Sequence, residues 1–454
     1  MEIKRKFYTK LLDWKEKYNG SCSLLIEGAR RIGKSTICKK FGEEQYRSYI
    51  IIDFATASEI IKNNFNENLN NLDTFFQIIQ LEYGVELFRR ESLIVFDEIQ
   101  KFPKARESLK YLVQDGRFDY IATGSLISLK ENVQDIIIPS EEVKLKMYPV
   151  DFEEFLEAAG EKILLNYIHQ CFENKIALDD KFHKKAMWLF REYMLVGGMP
   201  QSIVAYFDND KSFNKSDEKK RQILSLYRDD IKKASGKYNS KVSALFENIP
   251  GYLSSHEKRV VLSQIGDNKT FSQYDEPLFW LDDSMICNLC YKCNDPQVGL
   301  ALNKNESFVK CYMADTGLLV SLAFSENEIA SNELYKEIMR GKLSLNEGML
   351  YENIIAQMLA AKGIKLYFYT QYSAEKGRND IEIDFLVSNK SKTNYKVYPL
   401  EIKSSKNFTK ISYDKFREKF GNKIGESYVI APKQFRQTEE GYMIPPYMVC
   451  CLFN

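Results

Sequence analysis

Two sets of residues in this 454-residue chain have the types and spacing that chemistry on phosphates requires. The first lies in LLIEGARRIGKST, where Gly28, Ala29, Arg30, Arg31, Ile32, Gly33, Lys34, Ser35 and Thr36 form a G-x-x-x-x-G-K-[ST] loop between an apolar run and a helical one. Its glycines let successive N–H groups turn inward around an anion, and the following helix offers its positive end. Lys34 is placed to reach the β- and γ-phosphates of ATP, and the Ser35 hydroxyl to hold Mg²⁺. Arg30 and Arg31 either face phosphate or stay in solvent or on a partner. SLIVFDEIQ adds Asp97 as a metal ligand and Glu98 as the base that polarises the attacking water, a pairing that points to hydrolysis. In IATGS, Thr123 or Ser125 is positioned to bond that water or the γ-phosphate.

The second set is spread over three fragments: Glu352 in the helical NEGMLYENIIAQML, Asp384 in IEIDFLV, and Glu401 with Lys403 in YPLEIKS. Residues two apart in a strand share a face, so Glu401 projects with Lys403, and Glu382 with Asp384, leaving Ile383 and Phe385 opposite. A polar loop between the two strands predicts a hairpin that brings Asp384 next to Glu401. This is the layout of PD-(D/E)xK nucleases. There, Asp384, Glu401 and Glu352 would hold divalent cations that activate water, with Lys403 as a nearby catalytic cation. A fold of the same kind that binds or assembles without cutting accounts for the same residues. Lys406, Lys410, Lys415, Arg417, Lys419 and Lys423 follow and either contact phosphates or form a solvated face.

Positioning these residues requires particular elements. SLLIEG, RSYIIIDF, SLIVFDE and FDYIATGS are apolar runs separated by amphipathic segments, which predicts a parallel sheet covered by helices. Residues 151–245 read as helical, and the following short helices and alternating segments fit a winged-helix-like module. VGGMPQ reads as a structural turn, and Asp315 or Thr316 in MADTGLL as a helix cap. KLYFYTQ, IEIDFLV, KVYPLEIKS and SYVIAP are strands of a last α/β domain, preceded by a helix at about 347–362. The expected division is an ATPase core at 1–155, a helical lid and winged-helix-like region at 156–325, and a nuclease-like domain at 326–454.

Composition agrees with a folded protein: 64 Lys+Arg balance 63 Asp+Glu, and 44% of residues are hydrophobic, which excludes global disorder and a histone-like basic tail. No run nears the roughly 18 apolar residues that cross a bilayer, and the first residues lack the apolar core of a secretory signal, so no membrane is expected and the expected location is the cytoplasm. Nine cysteines form no disulfide framework. Cys287, Cys290 and Cys293, with Cys311, have metal-like spacing, but the alternating, strand-forming surroundings favour buried packing thiols.

The motifs GARRIGKST, VFDEIQKFP, ATGS, MYPVDFEEFL, VGGMPQ and KCYMADTGLL, with the carboxylate–lysine pattern, make the chain similar to prokaryotic AAA-like P-loop ATPases. These carry a C-terminal domain of unknown function with a restriction-endonuclease-like core. The resemblance implies ATP and Mg²⁺ as cofactors, a helical lid and a winged-helix-like segment between the ends, and a homo-oligomer in which a neighbour's arginine completes the site. Two functions follow as expectations. One is an ATPase joined to a metal-dependent nuclease acting on DNA or another nucleic acid. The other is an ATP-controlled switch or assembly protein whose C-terminal domain binds a nucleic acid or protein.

Overall fold

The computed structural model describes residues 1–124, 141–234, 236–255, 260, 274–297, 299–325, 332–340, 347–375, 378–388, 396–405, 411–439 and 441–453. Ser125, Lys406 and Lys410 lie outside them. The chain divides into two compact units: Arg5–Tyr148 with Asp283–Met285, and Pro149–Asp282 with Ile286–Asn454 and Met1–Lys4.

In the N-terminal unit, α1 (Phe7–Tyr18) leads into β1 (Ser23–Glu27), α2 (Lys34–Gln45), β2 (Ser48–Asp53), α3 (Glu59–Glu67), α4 (Leu72–Tyr83), β3 (Ser92–Asp97), α5 (Pro103–Asp115), β4 (Asp119–Gly124) and β5 (Glu142–Lys146). The strands form one parallel sheet in the order β2-β3-β4-β1-β5. Every residue of β1, β3 and β4 is buried, as their unbroken apolar runs demand. On one face Phe54, Phe65, Phe75 and Phe96 pack edge to face over the strands. β5 has no counterpart among the four expected strands. Its sequence EVKLK is that of a charged, partly exposed sheet edge, and the buried Arg106–Glu142 ion pair at 2.7 Å ties it to α5.

The second unit opens with helices: α6 (Phe152–Ala158), α7 (Lys162–Glu173), α8 (Asp180–Val196), α9 (Pro200–Phe207), α10 (Phe213–Ala234), α11 (Asn239–Glu247), α12 (Ile249–Ser254) and α13 (Asp275–Asp283). Next come β6 (Cys287–Cys293), β7 (Lys304–Met313), α14 (Thr316–Ala323), α15 (Asn332–Met339), α16 (Glu347–Ala361), β8 (Leu366–Ser373), β9 (Arg378–Ser388), β10 (Val397–Ile402), α17 (Ile411–Phe420), β11 (Ser427–Ile430), β12 (Arg436–Thr438) and β13 (Gly441–Ile444), closed by a 3₁₀ turn at Pro446–Cys451. All eight strands belong to one mixed sheet, ordered β12-β13-β11-β10-β9-β8-β6-β7. The strands expected in a separate winged-helix-like module are therefore the edge of this sheet. β6 pairs parallel with β8, so residues on both sides of position 325 share one set of hydrogen bonds. Cys287, Cys290, Cys293 and Cys311 are buried on β6 and β7.

Gly197 and Gly198 form the turn after α8, and Asp315 caps α14 by accepting from Leu318 N at 2.9 Å. The two segments meet, because the other Asp315 oxygen accepts from Gly198 N. The approach leaves no room for side chains: a Cβ on Gly198 would lie 2.3 Å from Val150 O, and one on Gly317 2.6 Å from Gly197. Gly197, at φ 81, also needs the left-handed region.

Candidate functional site

The residues of the glycine-rich loop and the acidic pair stand where a parallel sheet exposes the carboxyl ends of its strands. β1 delivers the loop, and α2 begins at Lys34 with Gly33 as N-cap and no side chain capping it. The turn is tight: Gly33 has φ 93 and Arg31 φ 70, and a Cβ on Gly28 would meet Ile32 Cδ1 and Met147 O at 2.3 and 2.7 Å. Ala29, Ile32 and Lys34 are buried, whereas Arg30, Arg31, Ser35 and Thr36 are exposed. Lys34 Nζ donates to Gly28 O and Ala29 O at 2.9 and 3.0 Å, so the ammonium rests on its own loop. Burial pushes it below the usual lysine range, and Glu98 and Asp97 draw it back up.

Because β4 lies between β1 and β3, Thr123 is interposed between the loop and the acidic pair. Its hydroxyl donates to Asp97 Oδ1 and accepts from Glu98 N at 3.4 Å. Asp97 is buried at the end of β3, and Glu98 follows it at φ 51, a left-handed conformation that costs about 1 kcal/mol or more for a residue with a Cβ. The buried Gln100 donates through Nε2 to Glu98 Oε2. The structure thus gathers Lys34, Asp97, Glu98 and Thr123. Sequence reasoning missed Gln100, two residues beyond Glu98. It also missed Arg5, which donates to Ile32 O at 3.0 Å and Tyr148 O at 2.6 Å and so clamps the loop from outside. The hard oxygens of Ser35 and Asp97 fit Mg²⁺.

The second constellation is built around α16, which is buried from Met349 to Ala360. Its polar residues are fixed by partners: Asn353 exchanges hydrogen bonds with Met313, Gln357 accepts from Thr316 N at 2.8 Å, and Glu352 accepts from Tyr312 OH at 3.2 Å. β9 and β10 pair antiparallel as the hairpin requires, and Asp384 Oδ2 accepts from Ile402 N at 2.7 Å. β9 is not regular, however. Between the pairs Tyr367–Leu386 and Tyr369–Ile383 it carries one residue more than β8, a bulge at Asp384–Phe385. Ile383 and Leu386 therefore share a core with α17 residues, while the Phe385 ring lies 5.6 Å from Tyr312.

The unexpected member is Lys310 on β7. Only 1% exposed, its ammonium lies 3.8 Å from Glu352 Oε2, 3.6 Å from Glu382 Oε1 and 3.9 Å from Asp384 Oδ1, and among the described residues it has no hydrogen-bond partner. Burial would lower its pKa, but the three carboxylates together hold it above the usual lysine range. Glu401 instead pairs with Lys403 at 2.6 Å, and burial pushes its carboxyl up to about 7 against the pull of that lysine. Among the described residues, no three of Glu352, Glu382, Asp384 and Glu401 offer oxygens mutually within 4.8 Å. As placed, this set does not fit a divalent ion, because an ammonium fills the centre. Glu382 also lines a cleft of about 440 Å³ with Lys292, Phe308, Phe368, Thr370 and Tyr372. Of the basic residues beyond β10, Lys415 pairs with Asp380, Lys419 bonds Tyr369 and Gln371, and Lys423 pairs with Asp295.

Residues 21–156 match the family model of the AAA domain. The N-terminal unit is AAA-like. In the second unit, residues 187–328 match one domain of unknown function, DUF8612, and residues 347–448 another, DUF4143. An uncharacterized protein of Haemophilus influenzae is 25% identical over 185 residues, a stretch that spans 40% of each chain. Solved structures with similarity to this AAA-containing chain include PCH-2 of C. elegans and AMPPCP-bound DnaA from Aquifex aeolicus. The first has TM-score 0.23 and 11% identity, over 49% of this chain and 66% of that one. The second has TM-score 0.24 and 13% identity, over 62% and 85%. At these values neither likeness bears on substrate or partner. Among the described residues, no helix is long and apolar enough to cross a membrane.

Proposed function

We propose that the protein hydrolyses ATP in its AAA-like unit and that the second unit binds a nucleic acid or protein partner without cutting it. The observation that carries the ATPase is the meeting of Lys34, Asp97, Glu98 and Thr123 at one edge of the parallel sheet. The loop from Gly28 to Thr36 receives the phosphates, and Lys34 Nζ exchanges the carbonyls of Gly28 and Ala29 for phosphate oxygens. Ser35 and Asp97 would hold Mg²⁺, which neutralises phosphate charge when bound. Glu98 takes the proton of the attacking water, with Gln100 orienting its carboxylate and Thr123 holding its backbone.

Binding without cleavage is favoured by Lys310. With its ammonium among Glu352, Glu382 and Asp384, a cation already stands where a metal ion would have to sit. The adjoining cleft, lined by Phe308, Phe368 and Tyr372 with Lys292 and Glu382, offers a surface for a partner. A metal-dependent nuclease is the second reading, and the observation in its favour is the β9–β10 pairing beside Glu401 and Lys403. It requires Lys310 to leave. Incubation with linear, circular and single-stranded DNA and with RNA, in Mg²⁺ or Mn²⁺ with and without ATP, separates the two. The binding reading expects intact nucleic acid in every condition; cleavage that disappears in Asp384→Ala would establish the nuclease instead.

A further inference from the structure

A second cluster lies away from both constellations, where the last turn of the chain meets the first helices of its unit. Cys450 and Cys451 end the 3₁₀ turn Pro446–Cys451, and α7 presents His169 to them. The two sulfurs and one imidazole nitrogen are mutually within 4.8 Å, the sole such set of three or more potential ligands among the described residues. The Sγ–Sγ separation is 3.8 Å. Two Zn–S bonds of about 2.3 Å at a tetrahedral angle place their sulfurs about 3.8 Å apart, so the thiols already stand at ligand spacing.

The surroundings hold this arrangement in place. A capping box at Asp151 and Glu154 fixes the start of α6, and between them Glu153 places Oε1 2.5 Å from His169 Nε2. A carboxylate behind the imidazole is the usual support of a metal-binding histidine. Lys362 Nζ donates to Cys450 O and Leu452 O, both at 2.6 Å, which pins the turn carrying the cysteines. Cys450 and Cys451 are buried, 5% and 7% exposed, whereas the His169 side chain is 31% exposed and leaves a route for an ion.

We propose that Cys450, Cys451 and His169 form a zinc-binding site, with Glu153 as its positioning residue. Two thiolates and one imidazole suit a borderline-soft divalent ion and not Mg²⁺. Binding displaces two protons from the cysteine–histidine set to solvent, leaving a neutral imidazole and two thiolates that balance the charge of the ion. The role is structural: a bound ion would join α7 to the chain's last turn, segments far apart in sequence.

The test uses the full chain, purified reduced and metal-free. Titration with Zn²⁺ against a competing chelator should show one equivalent bound, and Co²⁺ should give a thiolate-to-metal charge-transfer band. Cys451→Ser and His169→Gln should abolish that band, Glu153→Gln should weaken Zn²⁺ binding by about 10–100-fold, and Cys287→Ser, on β6, should change neither. Alkylation of the unaltered protein gives a readout that needs no variant: Zn²⁺ should shield Cys450 and Cys451 and leave Cys22 reactive. No Zn²⁺ binding, a charge-transfer band that survives Cys451→Ser, or equal alkylation of Cys450 and Cys451 with and without Zn²⁺ would overturn the proposal.

Discussion

Two lysines set the chemistry of the second unit, and each can be tested alone. Glu401 is buried beside Lys403, and its carboxyl titrates at about 7 instead of the ordinary 4.5. Between those values the folded chain holds the proton more tightly than the unfolded chain, so this residue's contribution to stability declines as pH rises through the window. Thermal melts of Glu401→Gln should therefore gain on the unaltered protein between pH 5 and pH 8, by up to about 3 kcal/mol. Lys310→Met should act in the opposite sense, leaving Glu352, Glu382 and Asp384 facing one another without a cation. A loss of about 3–5 kcal/mol is expected at pH 8, shrinking at pH 5 as the carboxyls take up protons. Equal melting temperatures at the two pH values would show that the cluster does not depend on this ammonium. Local motifs made the placement of the Gly28–Thr36 loop, Asp97 and Glu98 legible, since each is a contiguous stretch at the end of an apolar strand. Lys310 has no such signature: it lies on β7 and the acids beside it on α16 and β9, and only the folded chain brings them together.

At the level of elements, β1, β3 and β4 of the N-terminal sheet could be read because each is buried throughout, and β2 because its run of isoleucines is apolar although it is only partly buried. β5 escaped because a charged edge strand carries no comparable run. In the second unit, strand alternation correctly joined Asp384 to Glu401 but could not show the bulge that separates Phe385 from Ile383, since a bulge adds a residue without altering composition. Nor could it show that β6 and β7 extend the C-terminal sheet, a pairing between segments far apart in the chain. The glycines of VGGMPQ were read as a turn; the structure adds their partner, the cap of α14. Gly198→Ala would drive a methyl group against the backbone oxygen of Val150. It should destabilise the second unit by about 1–3 kcal/mol in denaturant melts, while ATP binding by the other unit persists.

For the molecule as a whole, the near balance of charge gives no preference for a partner, and Lys415, Lys419 and Lys423, which sequence alone left available to phosphate, have side-chain partners. The central claim therefore rests on the AAA-like unit. Lys34→Ala should abolish nucleotide binding, because the loop then lacks the cation that meets the β- and γ-phosphates. Glu98→Gln keeps the loop, Asp97 and Thr123 and removes only the base. The decisive measurement is steady-state ATP turnover with Mg²⁺ by the unaltered protein and by Glu98→Gln, with ATP affinity measured on the same samples. The account expects affinity to be retained and turnover to fall by about 10²–10⁴-fold. Turnover that is unchanged in Glu98→Gln, or absent in the unaltered protein despite tight ATP binding, would contradict it.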